Sequence, residues 1–332
     1  MAFDPFDEQW WQGSEELNWW HSALASPPQW LPDPDEALAF LNRNRIQMLH
    51  ALTLIRSMRT VESSQLHDLD RMLPARPQSA LYLSMAAMRL IDMGFPARVD
   101  GRATSNPYTS GFTAFRLPRY RPVDRKRLAV EFGWNPMEIA GLGSGPLSAA
   151  RQADRHNLIT ATIAVRARDA GWLTAGEAWC RFDRITLDPL MGGGGPDLAM
   201  IGGDRIVFIE LTASTNRTLE AKFRRWDRVL DHPGCERMHV VWLEAGRGDN
   251  TGTIRNRLRG FCEDRPRQHA GVARDWRTDD FACLDGFAPR SNHPVEPSGW
   301  VRDDLKQIGR MIGFPNAGSW RLPERFEDRW IG

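Results

Sequence analysis

Between Gly192 and Trp226 the chain reads GGGGPDLAMIGGDRIVFIELTASTNRTLEAKFRRW. Two short apolar runs, 198–201 and 206–211, flank Gly202-Gly203-Asp204-Arg205. Gly-Gly or Gly-Asp between apolar runs signals a two-residue hairpin, because such turns need backbone conformations that residues with a Cβ seldom adopt. With Gly203 and Asp204 in the turn, cross-strand partners sum to 407 and Asp197 faces Glu210. Directly opposed residues have Cβ atoms roughly 4.5–5.5 Å apart. With Gly202 and Gly203 in the turn, the register moves by two and the carboxylates sit diagonally on one face. In either register two like charges converge, which is costly without a cation between them. Hard oxygen ligands of this kind suit Mg2+ or Mn2+, ions that polarise a phosphate and help generate hydroxide.

The helix expected after Thr215 adds a cation. Of 43 lysines and arginines only Lys126, Lys222 and Lys306 are lysines, so a lysine beside the acidic pair stands out. Leu219, Phe223, Trp226 and Leu230 recur at helical spacing and define an apolar face. Lys222 lies at the border of that face, while Arg217, Arg224, Arg225 and Arg228 are expected in solvent. A compact ammonium suits contact with an attacking water or a phosphate oxygen.

On Pro196-Asp197 followed by Glu210-Leu211-Thr212 the chain resembles the PD-(D/E)xK nuclease superfamily, whose fold is that of many restriction-type endonucleases. Thr212 stands where that family usually has lysine, and Lys222 fits the position of members that carry it on the following helix. The resemblance covers roughly residues 150–262. It implies a magnesium- or manganese-dependent endonuclease site, with Asp197, Glu210 and the Leu211 carbonyl as metal ligands. Lys222 would activate water, Glu177 would be the upstream acid, and His156 and Thr212 would be accessory residues. The bland alternatives are a turn aspartate, a solvated glutamate and an ordinary surface lysine.

The rest of the chain suggests what such a site would be attached to. Residues 1–36 are acidic and crowded with Trp10, Trp11, Trp19, Trp20 and Trp30, either packed on the body or offered to a protein partner. Residues 37–120 resemble a winged helix-turn-helix. A helix is expected over 44–59, a second capped by Ser63, and a third over 78–93 ended by Gly94, with a wing over 95–117. The third helix of such domains enters the DNA major groove. That makes Arg76, Gln78, Ser79, Tyr82 and Arg89 the expected contacts, with Arg98 and Arg102 on the wing. The alternative is a dimerisation or protein-docking module.

Residues 121–150 read as a connector, and 151–263 as the nuclease-like domain. In that domain the expected order is a helix over 151–169, a strand over 179–187, the hairpin, the Lys222 helix, a strand over 238–243 and a helix over 253–263. This is α/β with a mixed sheet flanked by helices, preceded by an α+β winged helix domain. Residues 264–332 form an extension without strong periodicity.

At 332 residues, 42% apolar and 26% charged, the chain can build two cores. No apolar run spans a membrane and no signal-peptide pattern is present, so the cytoplasm is the expected compartment. Cys180, Cys235, Cys262 and Cys283 make no C-x-x-C pair, which argues against structural zinc. A net charge of +1 leaves nucleic-acid binding to local arginine patches.

The winged helix, His156-Asn157-Leu158 and the nuclease-like core together also resemble the replication-relaxation family of mobile elements. The expected partners are duplex DNA, a protein held by the tryptophan-rich arm, and a second copy of the chain. A nuclease-fold DNA adaptor without catalysis is the alternative function.

Overall fold

The computed structural model describes residues 3–276 except 12–14, 23–24, 100–101, 119–129, 131–153, 171, 178–179, 181, 187, 193, 203–204 and 216–217. The expected connector therefore lies outside the described residues apart from Val130, as do residues 277–332 with Cys283. The protein is mixed α/β and divides into two compact units, one ending at Ala161 and the other beginning at Thr162. Among the described residues no helix is long and apolar enough to cross a membrane.

The first unit contains β1 (Asn18–Trp20), α1 (Pro34–Arg43), α2 (Arg45–Met58), β2 (Val61–Glu62), α3 (Ser63–Leu69), α4 (Ala80–Ala87), β3 (Asp92–Phe95), β4 (Arg98–Val99), β5 (Arg102–Ala103) and β6 (Ala114–Arg116). Its antiparallel sheet has the order β1-β3-β6-β2, and β4 and β5 form a separate hairpin. Of the N-terminal arm's tryptophans, Trp10, Trp11 and Trp19 pack in this unit's core, while Trp20 and Trp30 are half-buried and meet edge to face at 5.8 Å. Trp10 and Trp11 cluster with Leu17, Phe112, Ala114 and Leu158, and the Trp11 indole donates to the Pro5 carbonyl at 3.0 Å. Trp19 donates to Asp154 at 2.7 Å while the Arg116 guanidinium lies 3.9 Å over its ring.

Two helix ends differ from expectation. The N-cap of α3 is Glu62, with Ser63 its first helical residue. The Glu62 carboxylate accepts the Ser64 amide at 2.6 Å, and Gln65 returns the bond to the Glu62 amide at 3.0 Å, a capping box written with a longer acid. Helix α4 does not run to Gly94. Leu90 N–H reaches the Met85 carbonyl at 2.8 Å and Arg89 N–H reaches Ala86 at 2.9 Å, closing a Schellman motif. Arg89 holds the left-handed position, with φ 59°. Gly94 instead lies in β3, where a Cβ would meet the Trp19 ring at 3.0 Å.

The boundary between the units falls within α5 (Asp154–Asp169). The second unit continues with β7 (Leu173–Gly176), α6 (Phe182–Ile185), β8 (Leu198–Gly202), β9 (Arg205–Thr212), α7 (Thr218–Leu230), β10 (Met238–Glu244), α8 (Thr251–Cys262) and β11 (Gln268–Val272). The sheet order is β11-β10-β9-β8-β7. The two pairs from β7 to β9 are antiparallel, and the two from β9 to β11 are parallel. Successive parallel strands joined by right-handed crossovers place their helices on one face. Accordingly Phe223 of α7 stacks on Trp242 of β10 at 3.8 Å and on Phe261 of α8 at 4.4 Å.

Two expectations are corrected here. The strand assigned to 179–187 is absent, since Phe182–Ile185 is helical and the strand is Leu173–Gly176. Its sequence LTAG is short and small, so it carries almost no strand signal. The sheet also continues past 263, because β11 pairs with β10 over Gln268–Val272.

Arg89 yields the first prediction. A side chain in the left-handed region costs roughly 1–2 kcal/mol, partly offset by the greater unfolded-state freedom of glycine. Arg89→Gly is expected to stabilise the protein by about 0.5–1 kcal/mol, read as a higher urea midpoint. Arg89→Ala is expected to give no such gain.

Candidate active site

The β8–β9 ladder runs from Leu198↔Ile209 to Gly202↔Arg205, so every pair obeys the first of the two registers read from the sequence. Asp197 lies just before β8, and its N–H donates to the Ile209 carbonyl at 3.0 Å, one step off the register, which ends at Leu198↔Ile209. Its carboxylate Oδ2 accepts the Leu211 amide at 2.7 Å. On the other side β7 ends at Gly176, which pairs with Leu198, and Glu177 follows it in a helical turn. Glu177 and Asp197 thus flank the paired ends of β7 and β8, and Glu210 lies on the neighbouring β9.

Helix α7 covers Glu210. Lys222 and Trp226 stand one turn apart, and both donate to Glu210. The Lys222 ammonium bonds Oε2, and the Trp226 indole N–H bonds Oε1 at 2.6 Å. Glu210 has no solvent exposure, whereas the Lys222 side chain is 37% exposed. Asp197 and Glu177 are half-buried. The cluster is closed beneath Glu210 and open toward the other acids.

The electrostatics follow from that gradient. Burial pushes the Glu210 carboxyl up to about 7, against the Lys222 charge, which lowers it; the Asp197 charge raises it further. Burial also works against the Lys222 ammonium, but the Glu210 and Asp197 charges outweigh it and, with Glu177, hold its pKa above the ordinary value. The four residues expected to act together are therefore within electrostatic reach of one another. Trp226 is the member that sequence reading missed, because its place in the apolar stripe concealed a donor.

Other expected residues are placed differently. Thr212 is buried, and its carbonyl accepts the Ala245 amide at 2.9 Å. His156 lies in the first unit. Arg76, Arg89, Arg98 and Arg102 are exposed. Gln78 donates to the Pro107 carbonyl, and Ser79 is half-buried. Tyr82 is fully buried against Phe115, its hydroxyl donating to the Pro74 carbonyl at 2.9 Å, so it is a core residue that cannot reach a base edge.

Among the described residues no group of three or more His, Cys, Asp or Glu side chains is arranged to hold a metal ion. The carboxylates at this site are Asp197 and Glu210, with Glu177 alongside. When ionised, the three carboxylates face one ammonium, which leaves the cluster two charges short of neutrality. An oxygen-rich, net negative, partly open cluster fits a hard divalent cation. Comparisons with protein-family models, curated proteins and solved structures found no match.

The buried pair gives a stability test. Lys222→Met would leave Glu210 buried with the Trp226 donor, and its carboxyl pKa would rise beyond about 7. A carboxyl raised in the folded state supports stability below its unfolded pKa and loses that support as pH climbs through the folded value. In chelator, Lys222→Met is expected to lose about 2–3 kcal/mol at pH 8, discounted because the ammonium is partly solvated, and much less at pH 5. Adding Glu210→Gln should remove most of that pH dependence. Urea titrations at the two pH values decide it.

Proposed function

We propose that this protein binds duplex DNA and hydrolyses a phosphodiester bond with Mg2+ or Mn2+. The observation that carries the reading is the gathering of Glu177 and Asp197, at the paired ends of β7 and β8, around the Lys222 ammonium that bonds Glu210. The mixed sheet, three antiparallel strands followed by two parallel ones, supports the PD-(D/E)xK resemblance. So does the Asp197 carboxylate's bond to the Leu211 amide, next to Glu210 in the chain.

Asp197, Glu210 and the Leu211 carbonyl would hold the ion, with Glu177 able to complete the set. When bound, the ion supplies Lewis-acid polarisation of the phosphate and a more acidic water. The chain's own residues do the rest. Trp226 fixes one Glu210 oxygen and leaves the carboxylate one orientation. The Leu211 amide fixes Asp197 in the same way. Lys222, the solvent-reaching member, offers a proton donor and a positive charge to the pentacovalent phosphate. The exposed arginines Arg76, Arg89, Arg98 and Arg102 would bind the duplex through its phosphates. Service to a mobile element, in replication, mobilisation or defence, is the setting suggested by the replication-relaxation resemblance.

One observation favours a second reading. Both oxygens of Glu210 already carry donors, the pattern of a neutralised structural charge. On that reading the same fold is a DNA adaptor that does not cut.

A plasmid-nicking assay separates the two. With Mg2+ or Mn2+ the wild type is expected to relax supercoiled plasmid, and Asp197→Ala to lose at least roughly a hundredfold in rate. Equal relaxation by both proteins, or none by the wild type, defeats the nuclease reading.

Duplex binding has its own readout. Each phosphate neutralised contributes a slope of about 0.9 to the fall of log affinity with log salt. Replacing Arg76, Arg98 and Arg102 by alanine should flatten that slope by roughly two to three. An unchanged slope in filter binding would remove this unit from the DNA interface.

A further inference from the structure

Asp197 enters the cluster from a loop. Residues 192–195 are four glycines, and Pro196 then leads into the aspartate. Such a segment has the greatest conformational freedom a chain can have, and ordering it is costly in entropy. A carboxylate carried on it needs an anchor outside the loop.

Arg225 is placed to be that anchor. Its guanidinium donates to the Met191 carbonyl and lies 4.4 Å over the Phe182 ring. A Cβ on Gly192 would sit 3.3 Å from Nη2, and one on Gly194 would sit 3.6 Å from Nη1. Both glycines have positive φ, 68° and 84°, so loop and guanidinium fit only while these positions lack side chains. The loop is also tied to α6, where Phe182 N–H donates to the Gly194 carbonyl at 2.9 Å and Asp183 N–H to Gly192 at 3.2 Å. Phe182 completes the connection by meeting Trp226 edge to face at 4.9 Å. On α7, Arg225 follows Lys222 by three residues and precedes Trp226 by one. One helix therefore anchors the Glu210 carboxylate directly and the Asp197 segment through the glycine loop.

We infer that Arg225 is a positioning residue. It clamps the chain at Met191, Gly192 and Gly194 so that Asp197 is presented to the Leu211 amide, beside Glu210. The catalytic part of this inference rests on the nuclease reading, and the structural part does not. Guanidinium is suited to the task because a planar fork can stack on one group while bonding another.

Hydrogen exchange and steady-state kinetics on Arg225→Ala test it. The Leu211 amide, whose acceptor is the Asp197 carboxylate, is expected to exchange roughly tenfold faster, with the Val240 amide in the neighbouring strand unchanged. With plasmid substrate, kcat should fall roughly tenfold or more while KM stays within about twofold, since the loss is one of orientation. Arg228→Ala, an exposed arginine on the same helix, should leave Leu211 exchange as in wild type. If Arg225→Ala does not fold, Arg225→Lys keeps a donor but loses the planar stack, and Leu211 exchange should rise by a smaller factor. Unchanged Leu211 exchange in whichever variant folds overturns the inference. So does a Leu211 increase matched at Val240, which would mark general loosening. If wild type cleaves nothing, the nuclease reading fails while the exchange comparison still decides the positioning role.

Discussion

A carboxylate with no access to water organises the second unit. Glu210 sits in the middle of a sheet row, and an ionised carboxylate buried without partners costs several kcal/mol. Two donors one helical turn apart offset that cost, so the rotational phase of α7 is set by polar as well as apolar demands. The phase that turns Leu219, Phe223, Trp226 and Leu230 inward brings the Trp226 indole N–H and the Lys222 ammonium to the two Glu210 oxygens. Agreement between the two demands leaves the helix no equivalent alternative position. Phe223 on Trp242 and Phe182 on Trp226 then pass the constraint to β10 and to the glycine loop.

Much of this cluster was legible in the sequence, for an identifiable reason. A Gly-Gly-Asp stretch between two apolar runs allows few hairpin registers, and arithmetic from it gave the β8–β9 pairing from Leu198↔Ile209 to Gly202↔Arg205. The lysine was visible because lysine is scarce in an arginine-rich chain. The illegible parts depend on tertiary packing. Trp226 reads as apolar until its indole N–H has an acceptor. Arg225 reads as one more solvent arginine until the loop it clamps is in place. Leu173–Gly176 became a strand because β8 supplies a ladder for it, not through its own propensity.

The first unit shows the same division. Periodicity located α2 to within a residue at each end. The ends of α3 and α4 were misread because glutamate is a rare cap and arginine a rare left-handed residue. Tyr82 was taken for a groove-facing residue because hydrophobic spacing does not reveal which of several inward positions a hydroxyl occupies. Its bond to the Pro74 carbonyl satisfies the polar atom inside the core. The arm's tryptophans bury large surfaces without being an extension of any helix, which is why composition alone left their destination open.

The double character of Glu210, neutralised yet beside two more acids, bears on what Lys222 does in either reading. Trp226 is a fixed donor held within the core, so the oxygen it binds keeps its place. Lys222 differs, since its ammonium reaches Glu210 from a side chain more than a third exposed on a flexible four-carbon stem. Without a metal ion it supplies the charge that lets Glu210 stay buried. On the nuclease reading, Asp197 and Glu210 would hold a cation that supplies further positive charge to Glu210, and Lys222 would be the donor able to face the phosphate. A tryptophan in its place could not change partners in this way, and an arginine with a rigid fork would do so less readily. Lysine is scarce in this arginine-rich chain, occurring elsewhere only at Lys126 and Lys306, and its use at 222 suits a donor able to change partners.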